Sequence, residues 1–150
     1  MPPVLSEEPK ATSRSPVVLD TSIWLDWFED RNEPHFPKSD MAHRLLSEVV
    51  IADDQIVVSD VVIFELSNVG YSLQEVDRLL RPLKSIIVFV EATEKEVRKS
   101  KDLSRKRLVP QGDALHALIA RNHKAVIVTF DRDFQKLVDI VKSKTPRELV

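Results

Sequence analysis

The sequence predicts an α/β fold, in which helices cover both faces of a central, mostly parallel sheet to give a three-layer α/β/α sandwich. Short runs of β-branched residues alternate with helical stretches from residue 17 onward. These runs are apolar throughout, which is typical of strands that are buried on both faces of a parallel sheet. With 150 residues the chain is long enough for one full core without disulfide or metal staples.

The first half of the chain contains two expected strands and four expected helices. Trp24, Trp27 and Phe28 lie at helical spacing, which favours a core or dimer contact for these rings. Gly70 ends the third helix. The strands are expected at residues 17–19 and 56–58, and the helices at residues 21–30, 39–52, 60–68 and 72–83.

The second half continues the alternation. Thr93 with Glu96 three residues later has capping-box spacing and opens a long charged helix. The stretch 112–122 is apolar on nearly every face, so this helix should be buried. Strands are expected at residues 86–90 and 125–128, a final edge strand at residues 139–142, and a short helix at residues 131–137.

Composition excludes several kinds of chemistry. Two glycines, Gly70 and Gly112, are too few for a phosphate-binding loop, a dinucleotide-binding turn or a nucleophile elbow. The absence of cysteine excludes thiol nucleophiles, disulfides and cysteine metal sites, and the four histidines lack H-x-x-x-H spacing. Any catalysis must therefore depend mostly on oxygen ligands.

Charge and hydropathy indicate a soluble, cytoplasmic protein. The net charge of −2 provides no global basic field for polyanions, so nucleic-acid binding would need a local patch. The longest apolar runs, such as residues 86–90, are far shorter than the ~18 residues of a membrane span. Residues 1–15 carry prolines, acids and little to bury, and are expected to form a disordered leader.

Several acids follow the expected strands, where open parallel sheets bind ligands. Asp20, Asp60 and Asp131 each come directly after a strand, although each alone also fits a helix cap. Asp113 opens the buried helix, where it would also complement the helix dipole. Glu65 lies too far inside its helix to be a cap.

A cluster of such acids needs a partner. Two carboxylates ~5 Å apart repel by about 3 kcal/mol at an effective dielectric of 20. A shell made of oxygen ligands suits Mg²⁺ or Mn²⁺, and such ions bind phosphates and activate water for attack at phosphorus. The residues therefore suggest metal-dependent hydrolysis of phosphodiesters.

The motifs resemble those of the PIN-domain ribonucleases, the family that includes VapC-like toxins. Residues 19–22, LDTS, resemble the family's opening aspartate, and Glu65 matches the glutamate on the helix after the second strand. Residues 112–117, GDALHA, resemble the "DAxxxA" helix start, and residues 129–134, TFDRDF, the "TxDxDF" segment. Residues 145–149, TPREL, resemble the usual ending, so the match covers residues 17–149 in order.

The resemblance implies a PIN-like domain over residues 16–150 with four catalytic, metal-holding acids: Asp20, Glu65, Asp113 and Asp131. It further implies that Asp133 assists at the metal and that Ser22 and Thr129 orient carboxylates or water. One or two Mg²⁺ or Mn²⁺ ions, an RNA substrate, a homodimer and a small antitoxin partner follow from the same resemblance. The segment 30–40, with two prolines and His35, departs from the pattern and is expected to be a loop insertion.

Basic residues crowd the stretch before Asp113. Arg105, Lys106 and Arg107 are the closest of them in sequence and are predicted to contact the RNA backbone, although a solvated helix face would have the same composition. His116 on the buried helix is expected to be a packed or capped residue, with contact to the substrate near Asp113 as the less favoured alternative.

Three functions remain open. The first is a metal-dependent ribonuclease, as a toxin or an RNA-processing enzyme. The second is a catalytically silent PIN-like module that binds RNA or protein, which the complete acid set argues against. The third is a phosphatase of the haloacid-dehalogenase type, disfavoured because only 17 residues follow Asp133, too few for that chemistry's downstream motifs.

Overall fold

The fold is built around five parallel strands. The computed structural model describes residues 15–29 and 37–149. The strands are β1 Val17–Leu19, β2 Ile56–Ser59, β3 Ile87–Val90, β4 Val126–Val128 and β5 Ser143–Lys144. Their order in the sheet is β3-β2-β1-β4-β5, and every pairing is parallel. The predicted parallel α/β sheet is confirmed.

Helices connect the strands. They are α1 Thr21–Glu29, α2 Lys38–Ala52, α3 Asp60–Asn68, α4 Leu73–Leu80, α5 Glu94–Arg107, α6 Gln111–Asn122 and α7 Pro146–Leu149. Two 3₁₀ helices, Arg81–Ile86 and Arg132–Leu137, follow α4 and β4. In the described part of the chain, no helix has the length and apolar character needed to cross a membrane.

Both faces of the sheet are buried along β1, β2 and β4, which confirms the three layers, whereas Val88 and Phe89 of the edge strand β3 are exposed. Successive side chains of a strand point to opposite faces, and Val17 and Leu19 pack in one core while Val18 packs in the other. The first core contains residues of α1 to α4, and the second contains residues of α5, α6 and the 3₁₀ helix 132–137. The apolar α6 is buried as predicted.

The helix boundaries follow local chemistry. Thr93 and Glu96 form the predicted capping box at the start of α5. The helix expected over residues 72–83 ends instead at Leu80, and a 3₁₀ helix with Pro82 near its start follows. Proline lacks an N–H and clashes with the preceding turn, so it ends an α-helix.

The prediction of a last strand at residues 139–142 was wrong. The chain after Leu137 forms a turn, in which the Ile140 and Val141 N–H groups donate to the Leu137 carbonyl. Val141 is buried in the second core. The apolar residues that resembled a strand therefore form a buried turn, and the last strand, β5, begins at Ser143.

The predicted leader lies outside the described residues except for Ser15. Of the expected loop insertion 30–40, residues 30–36 also lie outside them, while residues 38–40 form the first turn of α2 and are not a loop.

The strand order defines a crevice. From β1 the chain proceeds to β2 and β3 on one side of the sheet, and β4 and β5 lie on the other. Ligands in open α/β sheets bind at such a reversal, beyond the carboxyl ends of the strands. In this protein that point lies between β1 and β4.

Candidate active site and metal centre

Asp20 and Thr129 lie at the ends of the two adjacent strands β1 and β4. The pairing of Leu19 with Val128 places them side by side, and the Thr129 hydroxyl donates to Asp20 Oδ2 at 2.8 Å. The Ser22 hydroxyl donates to the same oxygen at 3.2 Å. Asp20 and Thr129 are both buried, so these two hydroxyls fix the orientation of the Asp20 carboxylate.

Thr129 also organises the segment that follows β4. Its hydroxyl oxygen accepts from the Asp131 N–H at 2.9 Å, and Asp131 Oδ1 accepts from the Asp133 N–H at 2.9 Å. The second bond caps the 3₁₀ helix 132–137, so the helix-cap interpretation of Asp131 holds for one of its oxygens. The backbone is thereby turned so that two acids, Asp131 and Asp133, are adjacent.

Three carboxylates form a tight group at this edge. One oxygen each from Asp113, Asp131 and Asp133 lies within 4.8 Å of the other two. Asp113 comes from the first turn of α6, and the other two from the segment after β4. Asp20 and Glu65 are not members of this group, but the charge of Asp20 acts on Asp113.

Asp113 has the most perturbed environment of the group. Burial, followed by the charges of Asp20 and Asp131, raises its pKa from 3.8 to about 7. Its Oδ2 atom is buried and accepts no hydrogen bond from the described residues. A buried carboxylate oxygen without a donor is costly unless a cation neutralises it. The residues therefore fit a divalent metal ion, and an all-oxygen donor set suits Mg²⁺ or Mn²⁺.

Glu65 is held by residues of two other helices. Its Oε1 atom accepts from the Thr21 hydroxyl at 2.5 Å and bonds to His116 Nε2 at 2.8 Å. Burial would raise the pKa of Glu65, but the bonds to His116 and Thr21 outweigh burial and lower it. Burial would lower the pKa of His116, but Glu65 outweighs it and raises that pKa. Both shifts favour an ionised Glu65 beside a charged His116.

Gly112 allows α6 to approach Glu65. A Cβ atom at this position would lie 2.6 Å from Glu65 Oε2, which is shorter than real Cβ contacts. The side chain of Glu65 thus passes over a glycine directly before Asp113. This contact brings the Glu65 carboxylate to the start of α6.

A protein-family model matches the sequence from β1 to the turn after the last 3₁₀ helix. The family model described as PIN domain matches residues 17–140. The chain belongs to the PIN domain family. A search of curated proteins found no match.

Solved structures share the PIN-domain fold of this chain at low sequence identity. A chain of VapBC2 from Rickettsia felis, bound to a DNA fragment from its promoter, is 17% identical with a TM-score of 0.63, covering 87% of this chain and 98% of that one. A toxin–antitoxin complex from Klebsiella pneumoniae gives 20% identity, a TM-score of 0.59 and coverages of 87% and 97%. FitAcB from Neisseria gonorrhoeae is 18% identical with a TM-score of 0.58, and the match covers 89% of this chain and 99% of that one.

Sequence reasoning missed three residues of this PIN domain. Thr21 and His116 bind Glu65, and Gly112 makes room for it. His116 follows Asp113 by three residues, a spacing that places both on one face of a helix. That spacing was the available signal, but the partner on α3 could not be known without the packing of the helices.

Asp60 also follows a strand of the PIN domain, but it has another task. Its Oδ1 atom accepts from the Ala92 N–H at 2.9 Å. The bond ties the start of α3 to the segment that leads from β3 into α5. Asp60 is therefore engaged by the backbone and is not part of the three-carboxylate group.

The three basic residues that were predicted to contact RNA occupy the last turn of α5. Arg107 binds both oxygens of Asp139 and donates to the Lys136 carbonyl at 3.0 Å. Arg105 pairs with Asp102, and Lys106 is exposed. Arg107 thus links α5 to the residues around the end of the 3₁₀ helix, and the RNA contact of the three stays a prediction.

Proposed function

We propose that this PIN domain is a Mg²⁺- or Mn²⁺-dependent endoribonuclease. The observation that supports it most is the group of Asp113, Asp131 and Asp133, in which a buried Asp113 oxygen accepts no hydrogen bond within the described residues. This group lies at the carboxyl end of β4, beside the end of β1, where the fold class binds ligands. The PIN family supports nuclease chemistry at this place.

Each acid has a role in the proposal. Asp20, Asp113 and Asp131 would hold the ion with Asp133 assisting, and Glu65 would complete the set from α3. Bound in this way, a divalent ion neutralises phosphate charge and activates water for hydrolysis.

The hydroxyls and the histidine orient these acids. Thr129 and Ser22 fix the Asp20 carboxylate, and Thr129 also fixes the turn that carries Asp131. His116 and Thr21 hold Glu65 in its ionised form. The site is therefore preorganised, so that little side-chain rearrangement is needed when a phosphodiester binds.

In the reaction, water attacks phosphorus and the bond from phosphorus to the leaving oxygen breaks. One proton of the water is lost to the site, and the leaving oxygen gains a proton. The products are two shorter RNA strands.

We further propose that the protein is the toxin of a toxin–antitoxin pair, acting in the cytoplasm as a homodimer. The support for the toxin role is the similarity of its fold to chains of VapBC2, of a toxin–antitoxin complex and of FitAcB. The homodimer is expected from the family resemblance alone, and the cytoplasmic location from the charge and hydropathy of the sequence. A small antitoxin protein would then be its partner.

The test is cleavage of a labelled single-stranded RNA with Mg²⁺ or Mn²⁺. We expect cleavage that a chelator abolishes and that Asp20→Asn or Asp113→Asn reduces by at least about 100-fold, since the carboxylates act as a unit. Asp60→Asn is the matched control, because it also changes an acid after a strand, but one that accepts from the Ala92 N–H and is given no part in holding the metal. Activity that survives the chelator or the Asp113 substitution refutes the mechanism.

Metal binding is tested separately by calorimetric titration with Mn²⁺. Binding by the parent protein, without cleavage of any RNA, would favour a silent binding module. No binding at all would refute the metal centre.

A further inference from the structure

A second cleft opens directly beside the carboxylate group. It has a volume of about 660 Å³, within the usual range for ligand sites. Thr129 and Asp131 line it, so it begins where the metal centre ends. The remainder of its wall comes from the start of α2, the 3₁₀ helix 132–137, β5 and α7.

The cleft concentrates positive charge in a chain whose net charge is −2. Its basic side chains are those of Lys38, Arg132, Lys144 and Arg147, and its acids are Asp131 and Glu148. The Glu148 carboxylate accepts from the Thr145 N–H at 2.9 Å and from the Thr145 hydroxyl at 3.2 Å. Asp131 belongs to the metal centre. The cationic side chains thus outnumber the acids by four to two, although the charge of Lys144 also acts on Glu148.

The backbone holds two of these cations in place. Arg132 directly follows Asp131 and is exposed at the start of the 3₁₀ helix. Lys144 lies on β5, and its carbonyl accepts from the Thr129 N–H at 2.9 Å. Thr129, which orients Asp20, is therefore hydrogen-bonded to β5, the strand that carries Lys144.

We propose that this cleft binds a backbone phosphate of the RNA strand next to the phosphodiester that is cleaved. The inference rests on the proposed function and extends it by assigning the path of the strand. Because the cleft shares Thr129 and Asp131 with the metal centre, one continuous strand can occupy both. Phe130 also lines the cleft, and single-stranded nucleic acids bind to basic grooves that contain aromatic side chains.

The test compares two charge-matched double variants. Arg132→Gln with Lys144→Gln removes two cations from the cleft. Lys95→Gln with Lys99→Gln removes two exposed cations beside Asn122, about 14 Å along α6 from Asp113. Thermal unfolding of each variant checks that it folds.

Binding is measured in a non-cleaving Asp20→Asn background, with Mg²⁺ and a labelled single-stranded RNA, over a range of salt concentrations. Loss of the one phosphate contact should lower the slope of log affinity against log salt by about 0.7 in the cleft variant. From about 50 to about 200 mM salt, the parent should therefore lose about 2.6-fold more affinity than the cleft variant. The control variant should keep the slope of the parent.

Cleavage separates the cleft from the metal centre. In the active background, the cleft variant should raise KM more for a long RNA than for a dinucleotide, which has a single phosphate, and the control variant should leave both values of KM unchanged. If the parent cleaves no RNA, the proposed function fails, while the binding experiment still tests the cleft.

Three results would overturn the cleft as a phosphate site. The first is an unchanged salt slope in the cleft variant, and the second is the absence of measurable RNA binding by the parent. The third is a cleft variant that binds RNA as the parent does but no longer binds an acidic protein partner.

Discussion

Replacing Gly112 by alanine should reduce activity without reducing stability. The new Cβ would lie 2.6 Å from Glu65 Oε2, and ordinary contact begins at 3.4 Å. The carboxylate must therefore retreat by about 0.8 Å, and its bonds to Thr21 and His116 must move with it. A displacement of about 1 Å at a catalytic group can cost about 100-fold in rate. We expect a loss of about 10- to 100-fold in kcat.

The same substitution should be neutral or favourable for folding. Alanine is preferred over glycine in a helix interior by roughly 0.5–1 kcal/mol, which is an upper limit for Gly112 in the first turn of α6. The atom that the Cβ meets is the end of a flexible side chain. Thermal unfolding and RNA cleavage by one preparation would measure both quantities.

The other glycine provides the matched control. Gly70 has φ of +109°, and nothing lies within 4 Å of its added Cβ. Gly70→Ala should therefore cost about 1–3 kcal/mol in backbone strain and leave the activity of the folded protein unchanged. Full activity of Gly112→Ala would contradict the argument, because Glu65 would then tolerate displacement.

Three further predictions concern the acids and their partners. In metal-free protein the pKa of Asp113 lies near 7, above its ordinary 3.8, so its contribution to stability is present at acidic pH and lost as pH rises to about 7. The free energy of unfolding of the parent minus that of Asp113→Asn should therefore fall between pH 3.8 and about pH 7. Denaturant titrations that give the same difference at both ends of this pH range would contradict the prediction. At neutral pH, Mg²⁺ at about 100 times its Kd should stabilise the parent by about 2.7 kcal/mol and Asp113→Asn much less, which calorimetry would test. His116→Ala should cost about 1–3 kcal/mol, because Glu65 loses a buried partner, and should also slow RNA cleavage; unchanged kinetics would show that the pair is structural only.

The sequence predicts those parts of the site that depend on strand ends. Asp20 and Asp131 follow parallel strands, and the carboxyl ends of parallel strands meet at one edge of a sheet whatever the details of packing. The bond from Thr129 to Asp20 needs only that β1 and β4 be neighbours. The pattern of apolar runs was sufficient to place Asp20 and Asp131 at this edge, whereas the role of Thr129 was predicted from the family resemblance.

The contacts between helices could not be predicted in the same way. The bond between Glu65 and His116 joins residues 51 positions apart in sequence, and it depends on the distance at which α3 and α6 pack. The unbonded oxygen of Asp113 likewise depends on burial, which composition does not give atom by atom. The error at residues 139–142 has a related cause, since a buried turn and a short strand can have the same apolar composition.

The bond between Thr129 and Asp20 spans 109 residues, and this separation has a consequence for synthesis of the chain. A nascent polypeptide that ends before β4 contains Asp20, Glu65 and Asp113 but lacks Thr129, Asp131 and Asp133. It therefore has only one of the two hydroxyls that orient Asp20, that of Ser22, and only one of the three oxygens of the carboxylate group. The ribosome must extend the chain past residue 133 before the proposed metal centre can form, so unfinished chains lack the carboxylate group on which the proposed hydrolysis depends.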